Sequence, residues 1–349
     1  MTQSASLFSR SLKQLARHRP SLSRVVPRLQ AAGRVGLHAG AMASAWASAL
    51  PVNDVTLSFW KNSFTAALAL HERMVSRPET REALSRAERE DLFTLPVFAV
   101  TALSDIQRVR RKQSTGERRL PVEPPDAFPY PDYYLNDFHH QSNGGLSLRA
   151  ALTYEWQIRF LFMGANRLMR QGLIDQLPEG SHLDVLDVAC GPATWMHQAW
   201  LQNRRHRYTG IDLSAAYLRA ARLLRRKATF LQMNAEQLMP EWTGRFDVVT
   251  CIWLFHELPV PAMERVTAEL ARVLKPGGTV LFMDAIQHGD VSAMDATSPF
   301  PYFGEHFNEP FFQEYSRLDL PALFARHGLE LQRQEPWFLS KLLTLRKAG

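Results

Sequence analysis

From residue 183 onward the chain alternates between short apolar runs and amphipathic segments, and few architectures admit that alternation. "LDVLDV" (183–188), "RYTGID" (207–212), "ATFLQ" (228–232), "FDVVTC" (246–251) and "TVLFMDA" (279–285) read as strands. Between them, "TWMHQAWLQN", "SAAYLRAARLLRRK" and "AMERVTAELARVL" carry apolar residues at helical spacing, and Ser214 is placed to cap the second of these helices. Strands joined through helices lie parallel, which makes this a doubly wound α/β sheet. Ligands of such sheets bind beyond the carboxyl ends of the strands, where the strand order switches.

The upstream half reads differently. Residues 1–50 hold seven Lys/Arg and no acid, whereas the remainder balances at 34 basic and 34 acidic residues. The formal charge of +7 therefore belongs to the N-terminus, and a general nucleic-acid surface loses its support. Within residues 1–50, Phe8, Leu12 and Leu15 share one helical face, and three readings stay open: a mitochondrial-type transit peptide, a basic anchor for peripheral membrane contact, or a plain tail. Residues 51–120 form a second unit, with helical spacing from about Asn53 to Gln113 and breaks at 77–79 and 95–97. Five prolines between Pro121 and Pro131 mark a linker. Together with the segment that follows, in which the Asn143-Gly144-Gly145 turn precedes one long helix, they make a third unit, 121–180, capping the fourth, 181–349. No apolar run reaches the roughly 18 residues of a membrane-spanning helix. With only two cysteines, Cys190 and Cys251, there is neither a disulfide framework nor a metal-ligand spacing; both read as small buried hydrophobes in a reducing, cytoplasmic setting.

The strand ends carry the chemistry. After the first strand comes Asp187-Val188-Ala189-Cys190-Gly191-Pro192-Ala193, which lacks the glycine spacing that lets backbone close on a pyrophosphate, and Asp187 would repel phosphate. A nicotinamide-dependent oxidoreductase is therefore disfavoured. Asp212 ends the second strand, where a carboxylate can accept from both hydroxyls of a ribose. Asn234-Ala235-Glu236 follows the third strand, where an amide or carboxylate can meet the exocyclic amine of an adenine. A nucleoside with a cationic amino-acid tail and no phosphate satisfies all three: S-adenosylmethionine.

"VLDVACGPA", "YTGIDLS", "FLQMNAEQL", "FDVVTCIWLFHELP" and "LARVLKPGGTVLFMDA" resemble, in order and spacing, the successive motifs of class I S-adenosylmethionine-dependent methyltransferases, close to the ubiquinone/menaquinone C-methyltransferase group. The resemblance covers about residues 130–349. It implies a Rossmann-like, mostly parallel seven-stranded sheet, its one reversed strand expected in "WFLSKLLTLRK" (337–347), with a helical N-terminal extension. It also implies a cofactor-contact set of Asp187, Ala189, Cys190, Gly191, Asp212, Leu213, Asn234, Ala235, Glu236 and Trp253. Ala189 and Ala193 stand where the family has glycines, and Asn234 stands where it often has Asp.

Methyl transfer needs nucleophile, methyl and sulfur in line within a dry pocket. Aromatic faces suit a sulfonium, and Trp253, Phe255, Tyr133 and Tyr134 are candidates. His256, oriented by Glu257, is the expected general base, with Tyr134 and His140 as further catalytic candidates and His139 beside them; no metal site is expected, because further ligands at suitable spacing are missing. The aromatic stretch 299–315 (Phe300, Tyr302, Phe303, Phe307, Phe311, Phe312, Tyr315) reads as a lid over a small apolar or aromatic acceptor, quinone-like or lipid-like. A protein that binds S-adenosylmethionine without turning it over, as a sensor or partner subunit, is the alternative.

Overall fold

The computed structural model describes residues 54–75, 124–136, 138–140, 143–224, 228–290, 304 and 308–349. Helix α1 (Asp54–Val75) precedes a segment whose described residues, 124–136, 138–140 and 143–146, hold short 3-10 turns. Then come α2 (Leu148–Leu161) and α3 (Asn166–Ile174), which lead into β1 (Asp184–Val188), α4 (Thr194–Gln202), β2 (Arg207–Asp212), α5 (Ala215–Leu224), β3 (Thr229–Gln232), β4 (Phe246–Ile252), α6 (Val260–Val273) and β5 (Leu274–Ala285). The chain closes with α7 (Phe312–Tyr315), α8 (Leu320–Arg326), β6 (Leu329–Trp337) and β7 (Ser340–Lys347).

The seven strands form one sheet in the order β3-β2-β1-β4-β5-β7-β6, with β7 antiparallel to both neighbours and the rest parallel. This is the Rossmann-like α/β sheet that the alternation implies. Consecutive strand residues serve opposite faces, so a run that is apolar throughout feeds two cores. Leu186, Val249 and Phe282 enter the core under α6 and α8, while Val185, Val248 and Leu281 enter the one that includes Leu168, Trp195 and Leu218 from α3, α4 and α5.

Three boundaries differ from the sequence reading. The single helix expected after Gly145 is two, because the chain leaves helical geometry at Met163 and Gly164 (φ 49° and 78°) before α3 begins. β5 starts five residues before Thr279, its pairing with β4 shifting register across Lys275–Gly278. The reversed strand is β7, and β6 lies within a stretch not read as strand: all but its two end residues are exposed or half-buried, and it holds Pro336, as edge strands do. The expected helical readings over 76–113 fall outside the described residues, as do residues 1–50. Among the described residues no helix is long and apolar enough to cross a membrane.

Candidate active site

The switch point lies between β1 and β4, whose carboxyl ends open into a cleft. After Asp187 the chain turns sharply: Ala189, Gly191 and Ala193 all take left-handed φ (54°, 53° and 57°) before α4 begins. Glycine reaches that region freely and alanine at a cost, so the positions where alanine replaces the family's glycines are the strained ones. The turn is pinned to the next strand, with the Cys190 amide donating to the Ile211 carbonyl and the Gly191 amide to Asp212 Oδ2 at 2.9 Å. The Ser214 amide donates to Asp212 Oδ1 at 2.8 Å. Burial raises the Asp212 pKa to about 6 against the pull of those two amides. Its remaining lone pairs face the cleft, which it lines with Leu213, Ala189 and Gly191.

Asp187 is 2 % exposed and lies behind the cleft lining, accepting a 2.7 Å bond from Thr250 Oγ1. Burial lifts its pKa to about 7, with Thr250 and the distant Arg170 charge opposing. Cys190 is buried beside it and likewise does not line the cleft. Asn234 and Ala235 line the cleft below β3, where Asn234 Oδ1 accepts from the Glu236 amide at 2.9 Å. Glu236 is turned away: one carboxylate oxygen accepts from the Tyr133 hydroxyl and the other from Arg265. Trp253 lines the cleft at a left-handed φ of 52°, its ring stacked on Phe162 (4.8 Å) and approached by the Arg170 guanidinium (5.0 Å).

Segment 124–146 lies as a strap across these strand ends. Tyr130 accepts from Gln232, Tyr133 donates to Glu236, and the Gly145 carbonyl accepts from Ser214 Oγ at 2.6 Å, the same hydroxyl that caps α5 through the Tyr217 amide. A Cβ on Gly145 would lie 2.8 Å from the Tyr134 hydroxyl oxygen, so a side chain here would have to push that hydroxyl aside. Tyr133 and Tyr134 line the cleft, and so does His139, which bonds Glu257 Oε1 through Nε2 (2.9 Å) and meets Glu309 Oε1 through Nδ1 (3.2 Å). Burial would depress the His139 pKa, but the two carboxylates raise it to about 10. His140 ends the same 3-10 turn, and its side chain lies outside the described residues.

His256 is buried behind Glu257 rather than in the cleft lining, its Nδ1 2.5 Å from Asp284 Oδ1. Burial works against its charge, and the Asp284, Glu309 and Glu257 carboxylates outweigh that, raising its pKa to about 9. Phe255 packs in the core against Phe282 and Phe324, away from any cation in the cleft. Of the aromatics expected as a lid, Phe312 and Tyr315 are buried against His256 and Phe311 packs edge-on to Tyr133; Phe300, Tyr302, Phe303 and Phe307 lie outside the described residues. Sequence reasoning missed Tyr154 and Tyr217, an edge-to-face pair (5.6 Å) on the cleft, because on α2 and α5 they read as ordinary apolar helix positions. It also missed Asp284, although an acid ending the fifth strand repeats the pattern of Asp187 and Asp212.

A family model described as "Methyltransferase domain" matches residues 185–278. Ubiquinone biosynthesis O-methyltransferase of Dechloromonas aromatica is 30% identical over 162 residues, 45% of this chain and 67% of that protein. The chain belongs to the class I S-adenosylmethionine-dependent methyltransferases. The protein of the same name from Pseudomonas aeruginosa (strain UCBPP-PA14) is 36% identical over 116 residues, 32% of this chain and 48% of the relative, so the chain spans about half the length of several curated relatives it matches. A TehB-like S-adenosylmethionine-dependent methyltransferase from Corynebacterium glutamicum is similar in structure, with 19% identity, coverage of 56% of this chain and 97% of that one, and a TM-score of 0.40. The residues of the cleft fit the family's cofactor. Among the described residues the charged side chains on the cleft are Asp212, Glu257 and His139; the two carboxylates offer acceptors to hydroxyls and to a cation, and no Lys or Arg lines it for a phosphate.

Proposed function

We propose that the chain transfers a methyl group from S-adenosylmethionine to a small apolar or aromatic acceptor, quinone-like or lipid-like. The observation that carries the reading is the Asp212 carboxylate, fixed by two backbone amides and still open to the cleft at the end of β2. In this reading Asp212 accepts from the ribose hydroxyls, Asn234 and Ala235 border the adenine, and the Ala189–Gly191 turn gives the amino-acid tail room. Asp187 contributes its charge from behind the turn, and Trp253 borders the sulfonium. When bound, S-adenosylmethionine supplies a methyl group already activated on sulfur.

The acceptor's chemistry is supported by the remaining lining. Tyr133, Tyr134, Tyr154, Trp253, Leu254 and Leu258 surround the cleft with aromatic and aliphatic surface, as an apolar ring or chain requires. The names of the O-methyltransferase relatives add support for a hydroxylated, quinone-like ring. A hydroxyl acceptor has to lose a proton, and Glu257 is the carboxylate at the cleft wall; His256 stands behind it as a positioning residue held by Asp284, and Tyr134 presents a hydroxyl on the same cleft.

Isothermal titration with S-adenosylmethionine and S-adenosylhomocysteine tests the reading. Wild type is expected to bind both and Asp212→Ala to lose at least about tenfold, the scale of a charge-assisted hydrogen bond. A folded wild type that binds neither ligand removes the proposal. Binding without release of S-adenosylhomocysteine across a panel of hydroxylated quinols and lipids would favour the sensor reading instead.

A further inference from the structure

Beside the cleft, titratable side chains from distant parts of the chain converge: His139 from the strap, His256 and Glu257 from the turn after β4, Asp284 from the end of β5, and Glu309. We propose that His139, His256 and Glu257, with Glu309 alongside, form a binding site for a divalent first-row transition-metal ion, Zn²⁺ matching it best. Two imidazoles and carboxylate oxygens are a donor set that such ions favour, whereas Mg²⁺ prefers oxygen alone.

Geometry supports the assignment in three ways. His139, His256 and Glu257 each offer a ligand atom, and these atoms lie within 4.8 Å of one another. Bonds of about 2.1 Å at tetrahedral angles place two ligand atoms about 3.4 Å apart, so the most widely separated pair has to close by about 1.4 Å, a shift shared between two side chains. Second, Asp284 grips His256 at Nδ1 and is itself held by the amides of Leu254, Phe255 and Ala285. Nε2 is thereby left for the ion, 3.9 Å from Glu257 Oε1, in the carboxylate–histidine arrangement that orients metal-binding imidazoles. Third, Glu309 is 2 % exposed, and its Oε2 is buried without a hydrogen-bond partner among the described residues. An orphaned carboxylate oxygen is costly to bury, and a cation among these side chains would offset that cost.

Three carboxylates against two imidazoles need positive charge. Two protons or one dication can supply it, and the experiment separates them. The full-length chain, stripped with a chelator, is titrated with ZnCl₂ by calorimetry and with CoCl₂ by visible absorption. The proposal expects one tight equivalent, weakened at least about 100-fold in Glu257→Gln and in His139→Ala. Asp284→Asn, which disturbs only the orienting carboxylate, should cost about 10–100-fold and keep the stoichiometry. Retained thermal unfolding shows that each variant folds, and Glu309→Gln, expected to weaken the site, stands in for any that does not. Zn²⁺ binding that is absent in wild type, or equal in wild type and Glu257→Gln, overturns the proposal and leaves the histidines protonated. S-adenosylhomocysteine titrated in parallel distinguishes this failure from failure of the cofactor reading, since Asp212 lies outside the metal set. The inference rests on the proposed function in placing the ion at the wall an acceptor would face, and with the ion bound Glu257 serves as its ligand and not as the proton acceptor.

Discussion

Burial raises the pKa of both Asp187 and Asp212, and because one lies behind the cleft and the other lines it, the two shifts have different measurable consequences. Burial raises the Asp187 carboxyl from 3.8 to about 7, so ionising it destabilises the fold; the penalty is absent below pH 3.8, grows between 3.8 and 7, and is complete above 7. Asp187→Asn, which keeps an acceptor for Thr250, should therefore stabilise the protein by a few kcal/mol at pH 8 and by almost nothing at pH 4. Urea unfolding of both proteins across that range checks it. Asp212, raised to about 6, should make S-adenosylhomocysteine affinity fall toward tenfold per pH unit below 6, a dependence that Asp212→Asn flattens in calorimetry at pH 5 and 7.5. Both acids were legible because each ends a strand, but their division into one lining the cleft and one behind it was not. That division depends on side-chain depth, which strand spacing does not encode. The same holds for His256: its place after β4 was readable, whereas its burial on Asp284 required the fold.

At the scale of elements, α2 and α3 are locked by charge. Glu155 on α2 takes Arg170 Nη1 on both oxygens at 2.9 Å and Asn166 Nδ2 at 2.6 Å, with Arg167 Nε 3.6 Å away, all buried. Glu155→Ala removes the carboxylate from between two buried guanidinium groups and should cost about 3–5 kcal/mol, read as a lower urea midpoint. α3 also lies so close to the sheet that a Cβ on Gly172 would come 2.7 Å from Trp337 Cε2 and 2.9 Å from Leu342 Cδ1. Gly172→Ala should cost about 1–3 kcal/mol through overpacking, without changing the slope of the urea curve. Neither contact could be read from sequence, because the expected single helix hid the bend that sets α3 against β6 and β7. β1, β4 and the second half of β5 were readable because both their faces are covered and their residues are mostly apolar. β6 has almost no covered face, so selection for core packing left no signal in it.

For the whole molecule the unanswered charge is at the N-terminus, where seven basic residues and no acid precede a remainder of zero formal charge. An apolar acceptor of the proposed kind partitions into membranes, and a basic segment carrying Phe8, Leu12 and Leu15 would hold the cleft near that store. Each Lys or Arg close to an anionic surface contributes about 1 kcal/mol, so engagement of even half of the seven would strengthen vesicle binding by a few hundredfold. The chain lacking residues 1–50 should then lose at least about 100-fold in binding to vesicles containing phosphatidylglycerol, while its S-adenosylhomocysteine affinity stays unchanged. Full-length binding should weaken steeply between 0.05 and 0.5 M salt, because screening shortens the reach of charges held at the surface. Equal vesicle binding by the two proteins would remove the anchor and leave the basic segment as an address or a tail. A matched loss of cofactor affinity would show instead that the segment supports the cleft.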